Sequence, residues 1–521
     1  MSTEPPPPGG TAVRLSGISK SFGEVTANSN ISLEIREGSI HALVGENGAG
    51  KSTLSKIIYG MLRPTTGELL VRGQPVRFDS PRDAIRMGIG MVHQHFMLTG
   101  ELSVAENIML GHEESSLFGR LKMSEINSRI RRESEAYGLS VDPEALAGTL
   151  SVGLLQRVEI LKLLLRQASI MIFDEPTAVL SPQETEQLFR TLRSLQERGK
   201  TILLITHKLD EVLAVADTVS VMRRGEIIGT LPAKEVTKPE LARMMVGRSV
   251  ILKVDNPPAS PGEEILSIRN LSFRNPKGGG RLRNLSLNVR AGEIYGIAGV
   301  EGNGQSELLE TLWGLYPTGT VISGEVTFKK EPLTAKSPAE IAGMGVSFVP
   351  EDRLRYAVIT EFPVRENLVF GRHRERAFRH GIGFDGSALD TFAKKMIADY
   401  AIDCDNPASQ PLRSLSGGNQ QKIVVARELT RPNNALLILA QPTRGVDIGS
   451  IETIHRKIIE ARLGGMAILL VSSELEEIIA LSTRIGCIYR GEIRHEFSME
   501  ETGQKRHSEP EFQKEIGLHI T

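Results

Sequence analysis

Gly45-Glu46-Asn47-Gly48-Ala49-Gly50-Lys51-Ser52 is the stretch from which the rest of the chain can be read. It fits G-x-x-x-x-G-K-[ST], follows the apolar run Ile40 to Val44 and precedes the helical run Leu54 to Tyr59. Strand, glycine loop and helix in that order make a cradle for phosphate. The glycines let successive backbone N–H groups turn inward as an anion nest, and the helix N-terminus adds positive potential. Lys51 then sets an ammonium between the β and γ phosphates of a nucleotide, and Ser52 is placed to ligate Mg²⁺.

Such a site needs a carboxylate at the end of a neighbouring apolar strand, and Asp174 and Glu175 follow Ile170 to Phe173. Asp174 is expected to hold the hydrated metal and Glu175 to polarise the attacking water, since phosphoryl transfer asks for charge neutralisation and a positioned nucleophile. His207 ends the run Thr201 to Thr206 and is expected to reach the γ-phosphate from the strand tip. Gln94, after Ile89 to Val92, has the length to touch both metal and water. Between the second and third strands, Ser181-Pro182 supplies an N-cap and a first-turn proline, Leu188, Leu192 and Leu195 share a helical face, and Gly199 ends the helix. Strand, helix, strand repeated in this way predicts an α/β fold with a parallel sheet and ligands at the strand carboxyl ends.

The pattern then recurs. Glu37-Gly38-Ser39-Ile40 before Gly45 returns as Ala291-Gly292-Glu293-Ile294 before Gly299, 254 residues later. Phe173-Asp174-Glu175-Pro176-Thr177 returns as Leu439-Ala440-Gln441-Pro442-Thr443, 266 residues later, so length differences concentrate in the middle of each half. A repeat this long is a duplicated domain rather than a solenoid unit, whose period is about 20 to 50 residues. Domains are expected at 13–253 and 263–500, joined by a breaker-rich linker at 254–262 that holds Pro257, Pro258, Ser260 and Pro261. The Pro/Gly-rich 1–12 and the polar 501–521 are expected to be peripheral tails.

Composition excludes several classes. The 521 residues are 40% hydrophobic and 24% charged, as in a globular protein, and 62 basic against 63 acidic residues leave a net charge of −1. That balance argues against a sequence-independent grip on nucleic acid. No apolar run approaches the roughly 20 residues of a membrane helix, so the chain is not expected to span a bilayer. Cys404 and Cys487 lack metal or disulfide spacing and suit a reduced compartment.

One further motif narrows the class. Leu415-Ser416-Gly417-Gly418-Asn419-Gln420-Gln421 resembles the signature of the nucleotide-binding domains of ABC transporters, which other phosphate-loop enzymes lack. The resemblance covers about Val13 to Ser498, with phosphate loop, Q-loop, signature, acidic strand end, D-loop and switch position in family order in both halves. It implies two tandem domains, each with a RecA-like core and an inserted helical subdomain, that bind ATP and Mg²⁺. It also implies nucleotide contacts from Gly45, Asn47, Gly48, Gly50, Lys51, Ser52 and Thr53, metal contacts from Ser52, Gln94 and Asp174, and an adenine stacked on Phe22. Catalysis falls to Glu175, His207, Lys51 and Gln94.

The halves are unequal. Lys51 is matched by Gln305, Asp174-Glu175 by Ala440-Gln441, His207 by Ser473 and Gln94 by Glu351, so the second half lacks the charges that phosphoryl transfer needs. It keeps Gly299, Gly302, Gly304 and Ser306, the frame of a nest able to hold a nucleotide. The signature is biased the other way: Leu150-Ser151-Val152-Gly153 places a Cβ at Val152 where Gly417 stands. In the family each phosphate loop works with the other domain's signature. The resemblance therefore implies one complete site, from the first-half loop with Ser416, Gly417, Gly418 and Gln420, and one defective site with Ser151 and Gly153.

Fused pairs of this length with a degenerate second half are similar to bacterial importers of nucleosides and monosaccharides. Met91-Val92-His93-Gln94-His95-Phe96-Met97-Leu98, Val349-Pro350-Glu351-Asp352-Arg353 and Gln441-Pro442-Thr443-Arg444-Gly445-Val446-Asp447 resemble the nucleoside branch more than the ribose/galactose branch. The partners so implied are two membrane permease subunits, docking near 95–150 and 353–412, and an extracytoplasmic substrate-binding protein. No nucleic acid and no obligatory homodimer are expected, and the place of work is the cytoplasmic face of the cell membrane, peripherally. A soluble twin-ATPase acting on ribosomes or DNA fits less well, because the linker is short and only one site is competent.

Overall fold

Near-continuous β-branched and leucine runs form strands buried on both faces, and the computed structural model of the chain places them at the centre of each half. It describes residues 10–23, 25–93, 97–111, 123–177, 180, 182–247, 255–275, 282–300, 302–373, 375–380, 383–499 and 510–520. Gln94, the expected N-cap Ser181 and the stretches 1–9 and 500–509 lie outside the described residues. The chain divides into two units, Met1–Val250 and Ile251–Thr521.

In the first unit the strands are β1 Thr11–Phe22, β2 Val25–Arg36, β3 Ile40–Gly45, β4 Thr66–Val71, β5 Gln74–Val76, β6 Ile89–Val92, β7 Ile170–Asp174, β8 Thr201–Thr206, β9 Thr218–Arg223 and β10 Glu226–Pro232. Six form a sheet in the order β10-β9-β3-β8-β7-β6, parallel except for β10 at the edge. On one face Leu43, Ile172, Leu203 and Ile205 pack with Leu54, Ile57 and Ile58 of the helix Lys51–Ile58. On the other, Ile40, Ile202 and Leu204 pack with Val158 and Leu161 of the helix Val152–Leu165 and with Leu188, Leu192 and Leu195 of the helix Pro182–Glu197. The three leucines thus share the buried face that their spacing predicts.

A second, antiparallel sheet, β2-β1-β4-β5, closes the first core, with Val13, Leu15, Ile31, Leu33 and Ile35 turned into it. Continuous apolar runs, the pattern that marks the first sheet, do not predict this one. Its strands alternate apolar and polar residues because only one face is covered.

The second unit repeats the plan with β11 Glu264–Arg274, β12 Leu282–Arg290, β13 Ile294–Ala298, β14 Val321–Phe328, β15 Glu331–Pro332, β16 Val346–Val349, β17 Arg379–His380, β18 Gly383–Phe384, β19 Leu436–Ala440, β20 Ala467–Ser472, β21 Arg484–Tyr489 and β22 Glu492–Ser498. The sheets are β16-β19-β20-β13-β21-β22 and β12-β11-β14-β15, with the small pair β17-β18. Within the expected tail 501–521, the described residues 510–520 depart from a peripheral tail. Pro510–Ile520 is a helix whose Phe512, Ile516 and Ile520, spaced by four, are buried in the core beside Ile485 and Phe497. Among the described residues no helix is long and apolar enough to cross a membrane.

Candidate active site

Strand order brings the first-half residues together. β3, β8 and β7 are neighbours, with Val44 paired to Thr206 and Ile205 to Asp174, so the loop after β3, His207 after β8 and Glu175 after β7 open at one sheet edge.

The loop has the shape a nest requires. Gly48 and Gly50 have φ of 82° and 99°, and Gly50 is the N-cap of the helix Lys51–Ile58, with no side chain capping its first N–H groups. A Cβ on Gly45 would run into the Met222 carbonyl, and one on Gly50 into the Ala27 carbonyl, so these glycines are imposed by backbone packed behind the loop. Asn28, fully buried on β2, donates from Nδ2 to the Gly50 carbonyl at 3.1 Å, and the Gly225 N–H bonds to the Ala49 carbonyl at 3.0 Å. Neither support was visible in the sequence, because each lies far along the chain from the loop it braces.

Lys51 is 5% exposed and donates to the carbonyls of Gly45 at 2.7 Å and Glu46 at 3.0 Å. Burial pulls its pKa down, against the attraction of Glu175, Asp174 and Glu46. Asp174 is 6% exposed and accepts a hydrogen bond from the Ser52 hydroxyl. Burial, with the neighbouring Glu175 charge, pushes its carboxyl up to about 6. A buried acid beside a hydroxyl and a nest lined with N–H groups is a donor set that fits a divalent cation bound to phosphate. Thr53, next to Ser52, is half-buried in the same helical turn.

Glu175 and His207 form a dyad, with Nδ1 to Oε1 at 3.0 Å. Burial works upward on the Glu175 carboxyl, yet the hydrogen bond and charge of His207 hold it below its ordinary value. The Glu175 backbone has φ 47°, a conformation non-glycine residues rarely adopt, and its N–H bonds to the Ile205 carbonyl at 2.9 Å. This twist turns the side chain toward the neighbouring strand end. Phe22, at the end of β1, is 49% exposed, which removes it from the core; Lys20 lies 5.1 Å from its ring centre.

In the second unit the frame survives and the charges do not. Gly302 and Gly304 have φ of 93° and 113°, and Gly304 caps the helix Gln305–Trp313 as Gly50 caps its counterpart. Gln305 donates to the Val300 carbonyl at 3.0 Å, while its Oε1 is buried without a partner. Ser306 follows it, exposed. Gln441 keeps the left-handed twist at φ 50° but faces the N–H and hydroxyl of Ser473 at 3.0 and 3.1 Å. Ala440 ends β19 where Asp174 ends β7. Glu351 pairs with Arg444, so the second-half Q-loop position carries an ion pair. Leu282 stands where Asn28 braces the first loop and is buried in the apolar core.

Ser416 is the N-cap of the helix Gly417–Leu429, its Oγ accepting from the Asn419 N–H. A Cβ on Gly418 would collide with the Asp447 carboxylate, and one on Gly417 would come within 2.7 Å of the Arg353 guanidinium. Packing inside the unit therefore demands glycine at 418. Gly153 is held likewise by Glu184, Oε1 lying 2.5 Å from the Cβ it lacks, and Ser151 caps the helix Val152–Leu165 without a side-chain bond. Gln420 is buried and donates to the carbonyls of Leu412 and Leu415 at 3.4 and 3.0 Å, so it shapes the signature loop from within.

Comparison with known proteins places both halves in one family. The ABC transporter family model matches residues 28–178 and again 282–444. The nucleoside import ATP-binding protein of Lactococcus lactis subsp. cremoris is 44% identical over 494 residues, covering 94% of this chain and 96% of the relative. The guanosine import ATP-binding protein of Bacillus subtilis is also 44% identical, with 95% and 96% covered, and the glucose import ATP-binding protein of Haloferax volcanii is 43% identical, with 98% and 95% covered. Among solved structures, the complex of an archaeal ribosome recycling factor with a ribosomal stalk protein matches with a TM-score of 0.60 at 19% identity, covering 96% of this chain and 92% of that one, a likeness of fold alone. With both halves matched by one family model and near full-length relatives above 40% identity, the chain belongs to the ABC transporter family of ATP-binding proteins, as a tandem pair of its domains.

Proposed function

We propose that this chain is the ATP-hydrolysing subunit of a nucleoside importer, with Lys51, Asp174, Glu175 and His207 as its working groups and Gln94 completing them. The observation that carries the reading is the convergence of Lys51, Asp174 and the Glu175–His207 dyad at adjacent strand ends in the first unit, where the second unit has Gln305, Ala440, Gln441 and Ser473. The nest and Lys51 bind and orient the triphosphate, Phe22 takes the adenine, and Glu175 accepts a proton from the attacking water while His207 holds its carboxylate in place. Ser52 and Asp174 would hold Mg²⁺, which supplies charge neutralisation when bound.

In the family arrangement, Ser416, Gly417 and Gly418 of the second domain complete this site, while Ser151 and Gly153 face the retained glycine frame of the second. Two domains, near 13–253 and 263–500, follow from the repeat, the first beginning with β1 at Thr11 and the second extended by the helix Pro510–Ile520 packed in its core. The partners are two permease subunits and an extracytoplasmic binding protein, with the chain peripheral at the cytoplasmic face of the membrane. Nucleoside cargo is favoured by the two 44% relatives; monosaccharide cargo is the second reading, favoured by the 43% relative named for glucose import.

The test is uptake of labelled guanosine, uridine, ribose and galactose by cells carrying the whole transporter, with the chain intact or as Glu175→Gln. Nucleoside uptake that depends on Glu175 supports both cargo and site, whereas sugar uptake alone overturns the cargo. Turnover unaffected by Glu175→Gln, or lost equally in Glu175→Gln and Gln441→Glu, sinks the one-site reading.

A further inference from the structure

Glu211 is 5% exposed, carries a carboxylate, and lies outside every motif of the repeat. Its two oxygens reach opposite sides of the site: Oε1 accepts from the Thr177 hydroxyl and Oε2 from the Thr206 hydroxyl, the latter at 2.8 Å. Thr177 lies two residues after Glu175 and Thr206 directly precedes His207. The Thr206 hydroxyl also receives the Lys208 N–H at 3.0 Å, so one side chain fixes the backbone on both sides of His207. Together with the Glu175 N–H to Ile205 carbonyl bond and the Glu175–His207 contact, these links close a ring around the dyad. Through side chains the exits of β7 and β8 are tied twice, once through the dyad and once through Glu211.

The second unit supplies an internal comparison. Glu477, 4% exposed, occupies the matching place and accepts from the Thr443 hydroxyl at 2.7 Å. Its link to the β20 tip is absent. His455, which stands where the first unit has the apolar Phe189, lies 3.0 Å from the same Oε1, and Oε2 is left buried without a partner. Ser472, the counterpart of Thr206, still receives the Glu474 N–H at 3.1 Å, but its hydroxyl turns to Gln441 Oε1 at 3.5 Å. The carboxylate and the threonine are kept in both units, while the clamp across the two strand exits closes only where Glu175 and His207 are present.

We propose that Glu211 is a positioning residue for ATP hydrolysis, clamping the Thr177 turn to the Thr206–His207 strand tip so that Glu175 and His207 stay in register. The inference rests on the reading of the first site as the hydrolytic one. It touches neither the nest nor Lys51, so it governs the chemical step and leaves nucleotide binding alone. Steady-state turnover of Mg-ATP by the purified full-length chain tests it, read as kcat and KM separately. Glu211→Gln puts an amide donor where an acceptor is needed, and Thr206→Val deletes one link without changing shape. Both are expected to lower kcat about tenfold or more, since small misplacements of reacting groups are costly, with KM within about twofold of the parent. Thr206→Ser, which keeps the hydroxyl, is expected to restore turnover, and Glu477→Gln, where the clamp is already open, to leave it unchanged. Parental kcat in both Glu211→Gln and Thr206→Val, with Glu175→Gln inactive, overturns the clamp and spares the site. A loss in Glu477→Gln equal to that in Glu211→Gln also overturns it, because the carboxylate then serves folding in both units alike. Parental turnover in Glu175→Gln takes the site reading and the clamp down together.

Discussion

Replacing Asp174 by Asn should stabilise the chain while destroying its activity. Burial and the neighbouring Glu175 charge move the Asp174 carboxyl from an ordinary 3.8 to about 6, so the folded state holds a proton that the unfolded state has released. A carboxyl whose folded pKa is raised favours folding most when it is protonated, and that contribution is lost as pH climbs from about 4 through about 6. Above that window the ionised group costs roughly 2 pK units, or about 3 kcal/mol, with a margin about half as large at pH 5. Asparagine keeps the shape and can still accept from Ser52, but it carries no charge to bury. Urea unfolding of the full-length chain by far-UV circular dichroism, without nucleotide or divalent cation, should show Asp174→Asn more stable by about 2 to 3 kcal/mol at pH 7.5 and by roughly half of that at pH 5. The transition of the first unit is the one left in place by a core substitution in the second. Adding Mg-ATP should raise the parent's stability more than the variant's, because only in the parent does the cation also offset a buried charge. A variant no more stable than the parent at pH 7.5, or a margin independent of pH, refutes the reasoning.

Three other substitutions separate the roles of the site and the frame. Phe22→Ala should raise the KM for ATP about tenfold, the lower range of base stacking on an aromatic ring, with an unchanged urea midpoint; an unchanged KM removes Phe22 from the adenine site. Gly50→Ala should abolish ATP binding and cost about 2 kcal/mol or more, because its φ of 99° and the Ala27 carbonyl both oppose a Cβ. Gly48→Ala, with φ 82° but open space around it, should cost about 1 kcal/mol, and equal losses in calorimetry would deny that the backbone behind Gly50 matters. Phe512→Ala, which empties a site 2% exposed, should lower the stability of the second unit by about 3 kcal/mol; a shift below about 1 kcal/mol in the urea midpoint would mean that the C-terminal helix is not held by its core contacts.

The motifs that were legible are those whose chemistry is local. Gly45 to Ser52, the strand ending in Asp174-Glu175 and the signature at Ser416 to Gly418 each work through a few consecutive residues, so spacing along the chain already implies the nest, the acid and the helix start. The loss of Lys, Asp, Glu and His at the repeated positions was likewise visible, because a missing charge needs no coordinates to be noticed. The strands Ile40–Gly45, Ile170–Asp174 and Thr201–Thr206 were readable as buried parallel strands for the same reason: burial on both faces leaves an unbroken apolar run.

Other features depend on contacts across long stretches of sequence. The antiparallel sheet β2-β1-β4-β5 hides in half-alternating strands, and the helix Pro510–Ile520 follows a polar stretch that masks its apolar stripe. Asn28 beneath Gly50, the Met222 carbonyl behind Gly45, and Asp447 against Gly418 meet their partners only after the chain has folded, 22, 177 and 29 residues away. Glu211 is the sharpest case, a carboxylate in the first turn of the helix Leu209–Val215 that the strand order β8-β7 turns into a tie between two catalytic strand ends. The amino-acid order by itself determined the fold class, the duplication and which half keeps its charges, since these follow from local pattern and residue chemistry. Only the tertiary structure decided how the groups are held, because hydrogen bonds between distant elements leave no periodicity in the sequence.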